Sequence, residues 1–257
     1  TSRVLSQVVH PLVDGAAPSV AVNAYGVLGK DDAGNKVIRE LAGWGTNTQH
    51  LTQTDKAGTS VTYVLSFGDL GRTFIQAINA NGKLTSGAIS DDAIRQANVL
   101  HIGGAALTPS FMENLPQFLR HVKAVNPKIK IIADTAADPT GKWNEAFTKD
   151  EEAYKLIDVL TTSHGIYEAI KIVGTDDIDT ILNYFINKGV KTVFLKKGAD
   201  GSYVAHRDPK TGRIVKMQIP VIKGLKNDAV VWEETGAGDS HTAGLVLSLL
   251  LGWDVDK

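Results

Sequence analysis

The chain has 257 residues, 43% of them hydrophobic, which is enough to bury one sizeable core. Lys and Arg number 27 against 28 Asp and Glu, so the chain lacks the basic surplus with which nucleic-acid-binding proteins neutralise phosphates. Cysteine is absent, which excludes disulfides, thiol nucleophiles and Cys-ligated zinc, and favours a cytoplasmic location.

The first element predicted along the chain is a β-hairpin. Residues 59–66 (TSVTYVLS) and 72–78 (RTFIQAI) are rich in β-branched and aromatic residues and lie on either side of FGDLG. No helical pattern separates these two strands, so we predict a flap appended to a main sheet. The N-terminal residues before it, TSRVLSQVVHP, lack the charged and apolar segments of a secretory signal.

From residue 98 onward, strand patterns alternate with helical patterns. Strands are predicted at residues 98–102, 129–134, 156–160 and 192–196, and helices at residues 110–125 and 176–187. This alternation predicts parallel strands joined by crossover helices. Because no repeat or linker interrupts the sequence, we predict one α/β domain over residues 1–257.

The segment VFLKKGADGSYVA (193–205) places a glycine-bounded turn between two β-runs. Taken alone, it is ordinary hairpin chemistry, because glycine adopts the backbone angles that tight turns require. A second glycine turn follows one structural unit later in the sequence, and this order favours a functional role for the first turn.

That second turn belongs to EETGAGDSHTAGLVLSLLLGW (233–253), where Gly236, Ala237 and Gly238 join a strand-like run to an apolar helical pattern. The first amide groups of a helix have no intrahelical partner and carry partial positive charge, so such a turn is suited to binding an anion. The apolar run at residues 243–253 is shorter than the roughly 20 residues of a membrane-spanning helix, and we predict no membrane contact.

An acid, Asp239, directly follows this turn. It would repel a bound phosphate, but it is well suited to accept a proton from a hydroxyl that attacks a phosphoryl group. The alternative is that Asp239 only caps the helix while the glycines only turn the chain. We assign no role to the nearby His241, because a single histidine near a helix start is usually packed or solvated.

In this order, KKGADG and ETGAGDS resemble motifs of the ribokinase-like (PfkB-type) carbohydrate kinase family. DGAAPSVAVN (14–23), GVLGKDDAG (26–34), and HIGG followed by IIADTAADP (131–139) resemble further parts of that family. The resemblance implies a three-layer α/β/α sandwich with a mostly parallel sheet and a small β lid, formed here by about residues 1–13 and 59–78. It also implies transfer of the γ-phosphoryl group of ATP to a sugar or nucleoside.

Carried onto this sequence, the resemblance implies a catalytic base at Asp239 and an anion hole formed by the backbone of Gly236, Ala237 and Gly238. The residues implied to lie along the nucleotide are Thr235, Lys197, Gly198 and Gly201. Those implied to contact the acceptor substrate are Asp14, Gly15 and Ser19. Glu168 is the implied residue linked to Mg²⁺, which would be held mostly through water.

Several positions depart from the family pattern. In TTSHGIYEA, Ser163 and Gly165 compete for the place of the family's Asn, and Glu168 has the alternative of a solvated residue in a first helical turn. Glu233 replaces the usual Asp before TGAGD. Members also extend further at both termini, so we expect this chain to be incomplete at both ends. GKDDAGNK lacks the Lys and Ser/Thr of a Walker P-loop, which excludes that motif.

Three functions remain open from the sequence. The first is an ATP-dependent sugar kinase, and the second is a nucleoside kinase of the same fold. The third is a non-catalytic binding or scaffold protein that retains the fold, because a fold alone does not establish a function. A β lid exposes an open strand edge, so we also expect a homodimer formed through it.

Overall fold

The computed structural model describes residues 20–66, 72–221 and 235–253. They belong to two compact units. The smaller unit takes its residues from Ser2–Ile89 and Leu107–Phe111, and the larger from Ser90–Ala106 and Met112–Lys257.

The smaller unit begins with a parallel strand pair joined by a helix. Its elements are β1 (Gly26–Gly29), α1 (Asp32–Gly43) and β2 (Leu51–Thr54). Asp31 caps α1 by accepting the Gly34 N–H at 2.8 Å. It also accepts the backbone N–H of Thr59 at 2.7 Å and the Thr59 hydroxyl at 2.6 Å. The Thr59 hydroxyl, then the Thr59 and Gly34 amides, lower the pKa of Asp31. Asp31, the first acid of GVLGKDDAG, therefore links the start of α1 to Thr59 later in the chain.

A β-hairpin follows in the same unit. Strands β3 (Val61–Ser66) and β4 (Arg72–Ala77) pair in antiparallel register, which confirms the predicted hairpin. Large apolar side chains of both strands are exposed, among them Tyr63 at 64% and Ile75 at 58%. Whether this hairpin is a lid stays a prediction, and residues 1–13 lie outside the described part of the chain. Two short 3-10 helices, Asn79–Lys83 and Ser86–Ala88, come next.

From residue 90 onward the chain alternates strands and helices. The elements, in chain order, are α2 (Asp91–Gln96), β5 (Val99–Ile102), α3 (Pro109–Met112), α4 (Leu115–Val125), β6 (Lys130–Asp134), α5 (Lys142–Thr148), β7 (Val159–Ser163), α6 (Ala169–Val173), α7 (Ile178–Lys188), β8 (Thr192–Lys196), β9 (Ser202–Arg207), β10 (Ile214–Ile219) and α8 (Ala237–Leu250). Short 3-10 helices lie at Ala105–Leu107, Glu151–Leu156 and Gly198–Asp200.

The larger unit is built on a six-stranded sheet with the order β10-β9-β8-β7-β6-β5. Strands β5 to β8 run parallel, while β9 is antiparallel to β8 and β10 is antiparallel to β9. The sheet is therefore mostly parallel, which confirms the α/β fold class predicted from alternating strand and helix patterns.

The core of this unit contains fully buried strand residues such as Ile131, Leu160 and Val193. An aromatic cluster lies beside them, in which Trp143 donates its indole N–H to the Tyr154 hydroxyl at 2.8 Å. A buried tyrosine hydroxyl and indole thereby satisfy each other, as buried polar groups require.

Two predicted boundaries are wrong. The strand predicted at residues 156–160 is β7, which starts only at Val159, because a 3-10 helix continues to Leu156. The helix predicted at residues 110–125 is divided into α3 and α4. A proline stands in the first turn of α4, where its missing N–H costs no intrahelical hydrogen bond, so the second helix can start there.

Candidate active site

The candidate site lies where the parallel strands of the larger unit end. Because β5 to β8 point the same way, their carboxyl ends share one edge of the sheet, where α/β proteins generally bind ligands. Polar residues occupy these ends: His101 on β5, Asp134 on β6, Ser163 on β7 and Lys196 on β8.

The glycine turn stands at the start of α8, as the sequence predicts. Gly236 is the N-cap, with φ 92° and ψ −5°, a left-handed conformation that residues with side chains rarely adopt. The helix begins at Ala237 and packs against β5 and β6. Its first amide groups therefore stand at a helix N-terminus, where backbone N–H groups lack intrahelical partners, and the role of this turn as an anion hole stays a prediction.

Asp239 lies in the first turn of α8 and is exposed. The capping position belongs to Gly236, so Asp239 is not the N-cap residue of this helix. Thr235, just before the turn, is also exposed. An exposed carboxylate beside helix-terminal amides can meet a ligand from solvent, which is the arrangement that a catalytic base requires.

A cluster of Asp134, Lys196 and Thr242 lies next to the glycine turn. The Lys196 ammonium is 3.1 Å from Asp134 Oδ2, and the Thr242 hydroxyl is 3.3 Å from the same oxygen. A Cβ atom placed on Gly238 would lie 3.4 Å from Lys196 Nζ. The cluster therefore brings a positive charge against the backbone of the predicted anion hole.

His101 is half-buried on the same edge, and its buried Nε2 atom has no hydrogen-bond partner within the described residues. Burial lowers its pKa to about 4, although the charges of Asp134 and Asp239 act to raise it. The imidazole is therefore neutral near pH 7. The ring accounts for the first glycine of HIGG, because a Cβ on Gly103 would lie 2.7 Å from His101 Cε1.

His241 is a packed side chain. Its ring meets Phe194 edge to face with centroids 5.6 Å apart, and its Nε2 is 3.3 Å from the Ser202 hydroxyl. Burial, then the charge of Lys196, lowers its pKa. His241 is therefore packed rather than freely solvated.

The GADG turn joins β8 to β9. Gly201 has φ 84°, and a Cβ there would come within 2.1 Å of the Ile219 carbonyl oxygen, so close packing against β10 requires glycine. Lys197 forms an ion pair with Asp200 at 3.3 Å, whereas its neighbour Lys196 reaches the glycine turn of α8. Gly198 has φ 53° and open space around it.

Glu168 stands just before α6 with its carboxylate turned back to the strand ends. Its Oε2 accepts the Ser163 N–H at 2.8 Å and lies 3.5 Å from the Thr135 hydroxyl. The side chain is half-buried, which argues against the alternative of a freely solvated residue in a helical turn. The Glu168 carboxylate is met by the Ser163 N–H, whereas Gly165 accepts the Glu168 N–H with its carbonyl oxygen at 3.0 Å.

Other predicted residues cannot be placed. Asp14, Gly15, Ser19 and Glu233 lie outside the described ranges. Within residues 20–66, 72–221 and 235–253, the His, Asp and Glu side chains form no group of three that could hold a metal ion. The helices in that same part of the chain include none long and apolar enough to cross a membrane.

Sequence reasoning missed Asp134, Lys196, Thr242 and His101 as neighbours. The available signal was polar residues at the last positions of β-runs, in LHIGG, IIAD and VFLK. It identified the strand ends but not the contacts between them, because Asp134 and Thr242 are 108 positions apart in the sequence.

Comparison with known proteins identifies the family and the fold. Residues 3–257 match the profile described as the pfkB family carbohydrate kinase. The chain is 28% identical over 241 residues to the 5-dehydro-2-deoxygluconokinase of Geobacillus thermodenitrificans, covering 90% of this chain and 68% of the relative. It is 24% identical over 232 residues to the 2-dehydro-3-deoxygluconokinase of Bacillus subtilis, covering 88% and 67% respectively.

Among solved structures, the fold is similar to that of a candidate ribokinase II from E. coli in complex with ATP and Mg²⁺. The TM-score is 0.73 at 19% identity, covering 99% of this chain and 76% of the other. At this identity the likeness supports the fold, while the match over residues 3–257 supports the family. The chain belongs to the PfkB family of carbohydrate kinases and has their ribokinase-like α/β fold.

Proposed function

We propose that this carbohydrate kinase transfers the γ-phosphoryl group of ATP to a sugar hydroxyl, with Asp239 as the base. The observation that carries the proposal is the exposed Asp239 in the first turn of α8, beside the left-handed Gly236 and above the Lys196 ammonium. Proton acceptor and anion-binding amides are thereby side by side, as phosphoryl transfer requires.

In the proposed step, the O–H bond of the acceptor breaks and its proton moves to the Asp239 carboxylate. The hydroxyl oxygen forms a bond to the γ-phosphorus, while the bond from that phosphorus to the β–γ bridging oxygen breaks. ADP leaves with the electron pair of the broken bond. The backbone of Gly236, Ala237 and Gly238 stabilises the charge on the transferring oxygens.

Nucleotide binding is assigned to Thr235, Lys197, Gly198 and Gly201, and metal binding to Glu168. These residues fit a Mg²⁺ ion that keeps most of its water ligands. The described residues supply isolated carboxylates, and they contain no group of three metal-binding side chains that could surround the ion. Bound Mg²⁺ would neutralise phosphate charge. Glu168 suits this role, since the Ser163 amide and the Thr135 hydroxyl orient its carboxylate at the strand ends.

For the acceptor we infer a keto-deoxy sugar acid. Two curated relatives carry that activity in their names, a 5-dehydro-2-deoxygluconokinase and a 2-dehydro-3-deoxygluconokinase. Acceptor contacts are assigned to Asp14, Gly15 and Ser19. A nucleoside kinase and a non-catalytic scaffold are the alternatives.

We also propose that β3 and β4 form a lid and a homodimer contact. Their exposed apolar side chains, including Tyr63, Phe74 and Ile75, form a surface that a second subunit can cover. Sedimentation analysis tests this, because a monomer at micromolar concentration would contradict it.

The proposed function is tested by measuring ADP release with Mg²⁺ and a panel of acceptors. The panel contains 2-dehydro-3-deoxygluconate, 5-dehydro-2-deoxygluconate, ribose, fructose and adenosine. Asp239→Asn is expected to lower kcat at least about 10²-fold while MgATP binding persists, because the variant cannot accept the proton.

The matched control is Asp92→Asn, which changes another exposed acid in the first turn of a helix, and it should leave kcat unchanged. Full activity of Asp239→Asn would contradict the proposed mechanism. Preference for adenosine would favour the nucleoside kinase, and absence of MgATP binding by calorimetry would favour the scaffold.

A further inference from the structure

We propose that Lys196 binds the transferred phosphoryl group, and that Asp134 and Thr242 are the positioning residues that hold its ammonium in place. This inference rests on the proposed function, because it takes the glycine turn of α8 as the phosphoryl site. It assigns the charge at that site to Lys196 rather than to Lys197, the lysine that the sequence motif indicates.

The first support is the position of the Lys196 ammonium. It would be 3.4 Å from a Cβ placed on Gly238, so it reaches the middle of the predicted anion hole. Its side chain is only 14% exposed, which limits screening of its charge by water. Lys197, by comparison, is 33% exposed and pairs with Asp200 within its own turn.

The second support is the way Asp134 is fixed. Its Oδ2 accepts the Lys196 ammonium at 3.1 Å, while its Oδ1 accepts the Ala136 N–H at 2.9 Å. Ala136 has φ 51°, a left-handed conformation that costs a residue with a side chain free energy. Asp134 therefore stabilises a strained backbone while it orients the lysine.

The third support is Thr242, which is fully buried in the second turn of α8. Its hydroxyl lies 3.0 Å from the Gly238 carbonyl oxygen and 3.3 Å from Asp134 Oδ2. A hydroxyl has one hydrogen to donate, so it shares that hydrogen between the helix backbone and the carboxylate. Thr242 thus links the glycine turn to the group that holds Lys196.

The physical consequence concerns charge. Amide groups at a helix start supply only partial positive charge, whereas a lysine ammonium supplies a full one. The terminal phosphate of ATP, which carries about two negative charges near neutral pH, would meet this ammonium at the turn, and the ammonium would exchange part of its contact with Asp134 for the phosphoryl oxygens. MgADP lacks that terminal group and should depend less on Lys196.

A structural ion pair is the alternative, and the same sheet contains a matched example. At its other edge, Lys123 and Asp158 pair at 2.8 Å with side-chain exposures of 17% and 5%, remote from the glycine turn. Lys123→Met therefore reports what the loss of a lysine–aspartate pair does to this protein in the absence of any phosphoryl contact.

The experiment measures MgATP and MgADP affinities by calorimetry for the wild type, Lys196→Met, Lys196→Arg and Lys123→Met, with unfolding monitored for each. Lys196→Met is expected to lower the ratio of MgATP to MgADP affinity by about tenfold or more, and kcat with the best acceptor by about 10²-fold. Lys196→Arg should restore most of the affinity ratio, and Lys123→Met should leave it unchanged.

An unchanged affinity ratio in folded Lys196→Met would overturn the proposal, as would an equal loss in Lys123→Met. Asp239→Asn, measured in parallel, separates the two proposals. If Asp239→Asn stays active, the proposed function fails. If it is inactive while Lys196→Met behaves as wild type, only the assignment of Lys196 fails.

Discussion

Lysine–aspartate clusters lie at both edges of the six-stranded sheet, and they differ in how completely their polar groups are satisfied. At the amino edge, Asp158 accepts Lys123 at 2.8 Å, Lys191 at 2.6 Å and the Ile131 N–H at 2.9 Å. Lys123 also donates to the Ile129 carbonyl at 2.6 Å. All partners of this buried carboxylate are therefore supplied by the protein itself.

The carboxyl edge is less complete. There, Asp134 accepts one lysine, the Thr242 hydroxyl and the Ala136 N–H, but two buried ring nitrogens, His101 Nε2 and His241 Nδ1, have no hydrogen-bond partner in the described part of the chain. Native proteins seldom leave buried polar atoms unsatisfied without a reason, such as a ligand or a functional site. The difference supports our proposal that the carboxyl edge binds a ligand, whereas the protein itself satisfies Asp158 at the amino edge.

The largest effect on stability is expected from Asp158→Asn. The variant leaves three lysines, Lys123, Lys130 and Lys191, without their buried counter-charge, and we expect a loss of about 3–5 kcal/mol in the free energy of unfolding. Urea denaturation measures this loss, and kcat per folded molecule should stay at the wild-type value. The matched variant Asp134→Asn should lose less stability but more activity. A fall in the activity of folded Asp158→Asn would contradict the assignment of stability to the amino edge and of activity to the carboxyl edge.

A smaller effect is expected from Gly201→Ala, because a Cβ there meets the Ile219 carbonyl oxygen and the backbone is left-handed. We expect a loss of about 1–3 kcal/mol in the free energy of unfolding. Gly198→Ala is the control, since its φ is also positive but its surroundings are open. Thermal unfolding compares the two variants, and equal losses would show that packing against β10 is not what requires glycine.

The smallest effect on the free energy of unfolding is expected when acid pH protonates Asp158 at the amino edge. Burial acts to raise the pKa of Asp158, but hydrogen bonds from Lys123, Lys191 and Ile131 outweigh it, and the pKa is lowered. A carboxyl group with a lowered folded-state pKa contributes stability above its unfolded value of about 3.9, and this contribution is lost as the pH falls below that value.

The stability difference between wild type and Asp158→Asn should therefore be constant near neutral pH and become smaller below about pH 4. Urea denaturation from pH 7 to pH 3 measures this difference. A difference that stays the same down to pH 3 would mean that the carboxylate charge contributes nothing.

Local patterns in the sequence determined the parallel α/β sheet, the hairpin of β3 and β4, and the glycine turn at the start of α8, because periodicity and turn chemistry act between near neighbours. Only the tertiary structure decided that Lys196, and not Lys197, meets that turn. Adjacent strand residues point in opposite directions, and Lys196 is oriented by Asp134, which is 62 positions away. Contacts between distant segments depend on how strands are ordered and helices packed, which no local pattern encodes.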